Sequence, residues 1–354
     1  MMRRMHHRTT TALRWSRGAL TAACGLVVLC TGAADARVPP IPKEKLAAAA
    51  RYSAAHDGLA LLVHQKGRLR LEEYRNGAKR GDAAGIYSIS KSFWGVLALV
   101  AEKDGILRLD ERVADTLTGW RDDPRRSAIT VSDLLSMTSG LEPGYGVLTG
   151  DISIDRFAAA ESLRAVEDRG AAFAYGPANM NVFGALLQRK LASRGTTPLD
   201  YLHRRLLRPL GIKPAEWATD AAGNPGMAGG ARMTPRQLMR FGRMLLHGGR
   251  WHLRRIVPRD RLGVLWQGSP ANPAYGRTFW LNRQAAQPDA AEVDVEGILV
   301  AGAPFDGWPT ACFSRRAPPD TVVLLGSYNQ RVYVIPSLDL VIVRTGRGTD
   351  FSHA

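Results

Sequence analysis

The stretch Tyr87-Ser88-Ile89-Ser90-Lys91-Ser92-Phe93 marks a change of period in the chain. Just before it, Leu59–His64 and Arg68–Tyr74 read as two strands around the turn Gln65-Lys66-Gly67, a hairpin. From Ser88 to Lys103 the apolar residues Phe93, Val96, Leu97, Val100 and Ala101 fall instead at i, i+3, i+4, i+7 and i+8. That is the stripe of a helix packed on a core, and Asp104-Gly105 ends it. Ser88 therefore stands at a helix N-terminus, where free N–H groups and the helix dipole favour developing negative charge. Lys91, three residues on, lies on the same face and can reach the Ser88 hydroxyl. Burial beside apolar or cationic groups could lower its pKa enough for it to act as a base. Taken alone, S-x-x-K recurs by chance in any long chain and reads first as a helix cap followed by a solvated lysine.

The rest of the chain places this helix. Pro42 opens an Ala-rich helix that Gly58 can close. The middle third is helical: Thr130-Val131-Ser132-Asp133 is a capping box, and Thr197-Pro198-Leu199-Asp200 and Thr234-Pro235-Arg236-Gln237 repeat it with Pro at the first helical position. Gly248-Gly249 stops the last of these helices. Strand character returns at Thr321–Leu325, Val332–Ile335 and Leu338–Val343, the last two joined around Pro336-Ser337. The fold class is thus α+β, with one antiparallel sheet built from both chain ends and an all-helical subdomain beside it. A chain of 354 residues is more than one core usually holds. The α/β part is expected at about 37–110 and 250–354 and the helical part at about 111–249, with a small-molecule cleft between them.

Arg3, Arg4, Arg8, Arg14 and Arg17 precede an apolar run from Ala19 to Ala34, and Ala34-Asp35-Ala36 follows. This is the layout of a secretory signal peptide over residues 1–36, cleaved after about Ala36. The run is short for a membrane span, so an uncleaved anchor is the lesser alternative. Cleavage would leave Cys312 as the sole cysteine, and the expected location is periplasmic or secreted. The excess of 48 Lys+Arg over 32 Asp+Glu invites a nucleic-acid reading. The arginines are spread thinly, however, with no run of five basic residues and no aromatic-basic interleaving. The charge therefore predicts no nucleic-acid partner, only loose attraction to anionic envelope polymers. Quaternary state leaves no signature in the sequence. The eight histidines lack metal spacing, and no G-x-S-x-G elbow occurs. No metal and no cofactor is expected.

Several motifs in order from about Leu59 to Thr345 make the chain resemble a serine hydrolase family. They are the stretch from Tyr87 to Phe93, Ile129 to Gly140, Pro209-Leu210-Gly211-Ile212, Phe241 to Gly249, and Val332 to Pro336. The family is that of class C β-lactamases, penicillin-binding esterases and D-aminopeptidases, and the likeness is nearest to its 6-aminohexanoate-dimer-hydrolase-like branch. The resemblance implies a β-lactamase/transpeptidase-like fold and an acyl-enzyme on Ser88, with Lys91 as base. It also implies a tyrosine sharing proton transfer, and Phe173-Ala174-Tyr175-Gly176-Pro177 fits that slot with Tyr175. Many members carry Asn two residues after the tyrosine; here Pro177 stands there, and Asn179 is the candidate substitute.

A third family motif is a Lys-Thr-Gly on the strand edging the cleft. Arg344-Thr345-Gly346 looks similar but lies only eight residues from the end, whereas Gly326-Ser327-Tyr328-Asn329-Gln330 matches the branch's Gly-rich turn. On that reading Asn329 supplies a backbone N–H to the oxyanion hole together with Ser88, and Tyr328 lies beside it. Gly326 leaves the motif without its cation, which argues against efficient β-lactamase action. Ser132-Asp133 is better explained by the capping box than as a Ser-Asp-Asn motif. Trp280 reads equally as a cleft-lining residue or a core aromatic. The expected function is an exported hydrolase of a small-molecule ester or amide. The alternative is a catalytically weakened envelope binding protein, motivated by Pro177, by Gly326 and by the unmatched stretch 284–319, which could cover the cleft.

Overall fold

A computed structural model of the chain describes residues 38–302 and 305–348. The signal-peptide reading, with Cys24 and Cys30, lies outside the described residues. The hairpin turn expected after Gln65 forms as Lys66 and Gly67, both in the left-handed region. It joins β1 (Gly58–Gln65) to β2 (Arg68–Tyr74). The later strands are β3 (Trp280–Leu281), β4 (Val322–Gly326), β5 (Gln330–Ile335) and β6 (Leu340–Gly346). All six join one antiparallel sheet in the order β2-β1-β6-β5-β4-β3. The two chain ends meet at its centre, with Leu62 opposite Val343 and Val332 opposite Val343 on the other side.

Side-chain alternation assigns the two faces. Leu61, Val63, Ile335 and Leu340 pack in one cluster with Leu46 and Ala50, while Ala60, Leu62, Val332, Val334, Val341 and Val343 face the main core. The helices that place the site are α1 (Lys43–Ala55), α2 (Ile89–Lys103), α3 (Arg156–Glu161), α4 (Pro177–Ala192), α5 (Pro235–Leu246) and α6 (Val295–Ala301). Leu46 and Ala50 make α1 the cover of the first face. It ends at Ala55, before Gly58, which instead begins β1.

The sequence gives α2 one apolar stripe, but every residue from Ile89 to Ala101 is buried. A helix buried all round lies between layers. Here α2 packs on β4 on one side and reaches the loop at Thr278 on the other. Gly95 permits that second approach, because a Cβ there would overlap Thr278 Oγ1.

The capping boxes at Thr130 and Thr234 form as the sequence predicts, with both reciprocal bonds in place. The expected helical part, 111–249, needs one correction. Helix α5 packs on β1, β5 and β6, so it belongs to the sheet layer. Its amphipathic pattern required a core but could not say which. From Pro39 onward the described residues form a single compact unit.

Candidate active site

A small three-stranded sheet positions the residue before the α2 start. Ala84–Gly85 pairs with Ala231–Met233, and the Ile86 N–H donates to Ala231 O at 2.9 Å. Tyr87 then adopts φ 47°, a left-handed conformation that costs a non-glycine residue energy and turns the chain sharply into the helix. Ser88 is the N-cap of α2, yet its side chain makes no capping bond. Instead its Oγ lies 2.7 Å from Lys91 Nζ.

Lys91 also donates to Ala228 O at 2.9 Å and is only 4% exposed. Burial pushes its amine down to about 7, since desolvation disfavours the charged form. A neutral amine at the same 2.7 Å has a lone pair to accept from the Ser88 hydroxyl, while one of its N–H groups still bonds Ala228 O. The Tyr175 ring centroid lies 4.7 Å from Lys91 Nζ. Burial drives the Tyr175 phenol upward, and the neighbouring Ser88 hydroxyl opposes this. Tyr175 is thus a proton donor at neutral pH, which leaves Lys91 as the group able to accept.

These three residues line one cavity of about 540 Å³. The helical region contributes Tyr145, Leu148 and Pro177, β4 contributes Leu325, and the turn after β4 contributes Ser327. The stretch 284–319 contributes α6, through Glu296, Leu299 and Val300. It therefore builds a wall of the cleft. Among the described residues no group of His, Cys, Asp or Glu could hold a metal ion. None of their helices is long and apolar enough to cross a membrane.

The tentative positions fare differently. Asn329 is 1% exposed and its N–H donates to Glu296 Oε2 at 3.3 Å, so that N–H is turned to Glu296 and not to Ser88. Ser327, two residues earlier, lines the cavity, and its N–H has no partner among the described residues. The turn carries two consecutive left-handed residues, Tyr328 and Asn329, and this redirects the amides in a way spacing alone does not reveal. Tyr328 is exposed and rests its ring on Tyr87, at 5.0 Å between centroids, outside the cavity.

Asn179 is fully buried; it accepts from Ser139 Oγ at 2.6 Å and does not replace the amide lost at Pro177. Asn181 lines the cavity in its stead, with Nδ2 donating to Pro177 O at 2.9 Å. Trp280 is buried behind Tyr175, 5.8 Å between centroids, in an aromatic cluster with Phe173, Tyr275 and Trp308. It backs the tyrosine without lining the cavity. Ser132 accepts from Arg277 Nε at 2.8 Å, away from the cleft. Ser327, Asn181, Glu296 and Arg156 are among the cleft residues that sequence reasoning missed. Only Ser327 had a signal, its place inside the Gly-rich turn.

The Beta-lactamase family model matches residues 44–350. The chain belongs to the β-lactamase family. Among solved structures it is similar to a putative 6-aminohexanoate-dimer hydrolase from Bacillus anthracis, at 16% identity and a TM-score of 0.62 over 88% of this chain and 78% of that one. It is also similar to a class C β-lactamase from Rhodobacter sphaeroides, at 19% identity and a TM-score of 0.60 over 86% and 93% of the two chains. A third is EstCE1, a hydrolase with promiscuous acyltransferase activity, at 15% identity and a TM-score of 0.62 over 86% and 92%. No curated protein sequence matches the chain. At these identities the likeness is one of fold: this β-lactamase-family chain has the β-lactamase/transpeptidase-like architecture expected from its motifs.

Proposed function

We propose that this chain is an exported serine hydrolase that cleaves an ester or linear amide through an acyl-enzyme on Ser88. The observation that carries the reading is a buried lysine, with its amine pushed down to about 7, 2.7 Å from an uncapping serine hydroxyl at a helix start. Lys91 takes the hydroxyl proton as Oγ bonds to the substrate carbonyl carbon. The oxyanion sits between the N–H groups of Ser88 and Ser327. Tyr175 gives its proton to the leaving oxygen or nitrogen and regains one from the Lys91 ammonium. Water then attacks the acyl-enzyme, loses a proton to the same pair, and Ser88 is reprotonated as the acid departs. Export rests on the basic head and apolar run of residues 1–36.

Gly326 favours esters and linear amides over β-lactams. A Cβ at that position would overlap Ile86 O, so the strand has no room for a cationic side chain there.

The test is fluorophosphonate labelling of the purified protein with peptide mapping. One adduct is expected on Ser88 and none on Ser88→Ala, with p-nitrophenyl butyrate turned over in preference to nitrocefin. A folded protein that takes no adduct would favour the envelope-binding alternative.

Glu296 supplies a second check. Its carboxylate accepts from the Tyr328 N–H at 2.7 Å and from Arg331 Nη2 at 2.5 Å, and so holds the turn that carries Ser327. Glu296→Gln keeps the shape but weakens the hold. The expected result is about a tenfold loss in kcat on the butyrate ester with KM changed little, a fraction of what losing an oxyanion donor costs. An unchanged kcat would show that the turn needs no such support.

A further inference from the structure

Three charged residues line the Ser88 cavity: Lys91, Glu296 and Arg156. Two of them are compensated. Lys91 is held by Ser88 Oγ and Ala228 O and titrates near 7, and Glu296 is paired with the buried Arg331. Arg156 is not compensated. Its Nη2 donates to the backbone Asp151 O at 2.9 Å, while its Nε is buried with no partner. Nη1 makes no hydrogen bond among the described residues.

The acids around Arg156 are occupied elsewhere. The Asp151 carboxylate accepts from Ser153 N–H and Oγ at 2.7 and 2.6 Å. Asp155 Oδ1 caps α3 through Phe157 and Ala158 and also holds Asn224. Asp220 bonds the Arg156 backbone N–H through Oδ2 and the Ala222 and Asn224 amides through Oδ1. None of the three forms an ion pair with the Arg156 guanidinium among the described residues.

A guanidinium that lines a cavity with no carboxylate partner among the described residues, and with donors left unused, is a binding group for a planar two-oxygen anion. We infer that Arg156 is a carboxylate-binding residue of the cleft and selects substrates carrying a free carboxylate beside the scissile ester or amide. It supplies from the helical side the cation that Gly326 cannot supply from the strand. The inference deepens the hydrolase reading and rests on Ser88 being the reacting group of this cavity.

Binding to Ser88→Ala tests it without turnover. Two matched pairs distinguish a carboxylate on the acyl side from one on the leaving-group side. The first is N-(4-nitrophenyl)glutaramic acid against N-(4-nitrophenyl)butanamide; the second is 4-(butanoylamino)benzoic acid against butananilide. By calorimetry, one anion is expected to bind at least about tenfold more tightly than its neutral partner, as a charge-assisted hydrogen-bond pair allows. Ser88→Ala/Arg156→Gln is expected to lose that preference, and Ser88→Ala/Arg156→Lys to keep part of it, with circular dichroism melts confirming that both fold. Equal affinities in both pairs, no measurable binding of either anion, or a preference that survives Arg156→Gln would overturn the inference. A preference found in a chain whose wild type forms no acyl-enzyme would keep the carboxylate site and remove the hydrolase reading.

Discussion

Replacing Lys91 by methionine is expected to lower kcat/KM on p-nitrophenyl butyrate by about a thousandfold or more and, at the same time, to raise the melting temperature. Both effects have one cause. The amine is 4% exposed, and burial has pushed it from 10.5 down to about 7. Below pH 7 the folded protein must hold an ammonium ion in a dry site; the unfolded chain holds the same proton in water. The penalty is therefore fully present below about pH 7. It fades as pH rises towards 10.5, because in that window the unfolded state binds the proton and the folded state does not.

A shift of this size corresponds to at most about 5 kcal/mol, at about 1.4 kcal/mol per pH unit. Methionine fits the slot without charge but leaves Ala228 O and the Ser88 hydroxyl without their amine, which returns about 1–3 kcal/mol of the gain. A net stabilisation of about 2 kcal/mol remains, a rise of several degrees in Tm for a chain of this size. The stability difference between Lys91→Met and wild type should be larger at pH 6 than at pH 9.5. For wild type, kcat/KM should climb through an apparent pKa near 7 as the amine loses its proton. A variant that is inactive but no more stable, with an equal Tm difference at both pH values, would mean that Lys91 is not carried as a desolvated amine.

The residues that were legible in the sequence are those whose position depends on short-range periodicity. Ser88 and Lys91 share one turn of α2, so a 3.6-residue period fixes their juxtaposition once the helix start is known. The central sheet was legible because two alternating segments at one end and three at the other have only each other to pair with. The strand at Trp280–Leu281 was not legible, because two residues carry no period.

The expected oxyanion position at Asn329 failed for a different reason. Whether the amide of Ser327 or that of Asn329 faces the cleft depends on the left-handed Tyr328-Asn329 pair and on Glu296, more than thirty residues upstream in a stretch without a motif. The choice between Asn179 and Asn181 likewise turns on the phase of α4, set where Pro177 takes its first position. Arg156 is one of many dispersed arginines, and only the cavity it lines distinguishes it.

The same backbone contact that excludes a cation at Gly326 predicts the second large effect. Gly326 ends β4 against Ile86 O, and an added methyl group would overlap that oxygen and crowd the Gln330 Cβ at 3.2 Å. Ile86 cannot give way easily. Its N–H is bonded to Ala231 O at 2.9 Å, and its carbonyl accepts from the Ile89 N–H at 3.1 Å as α2 begins. The strand must move instead, carrying Ser327 away from Ser88. Gly326→Ala is thus expected to destabilise the fold by about 2–3 kcal/mol, the range for overpacking a tight contact. It is also expected to cost about a hundredfold in kcat, as removal of one oxyanion donor does. Urea unfolding and steady-state hydrolysis of p-nitrophenyl butyrate measure the two effects separately. Gly326→Lys, which would restore the missing cation in the sequence, should be at least as damaging and should gain no nitrocefin turnover, because its first side-chain carbon meets the same oxygen. If Gly326→Ala kept wild-type kcat and stability, the turn into α2 and β4 would not be in backbone contact, and the proposed place of Ser327 in an oxyanion hole would fall with it.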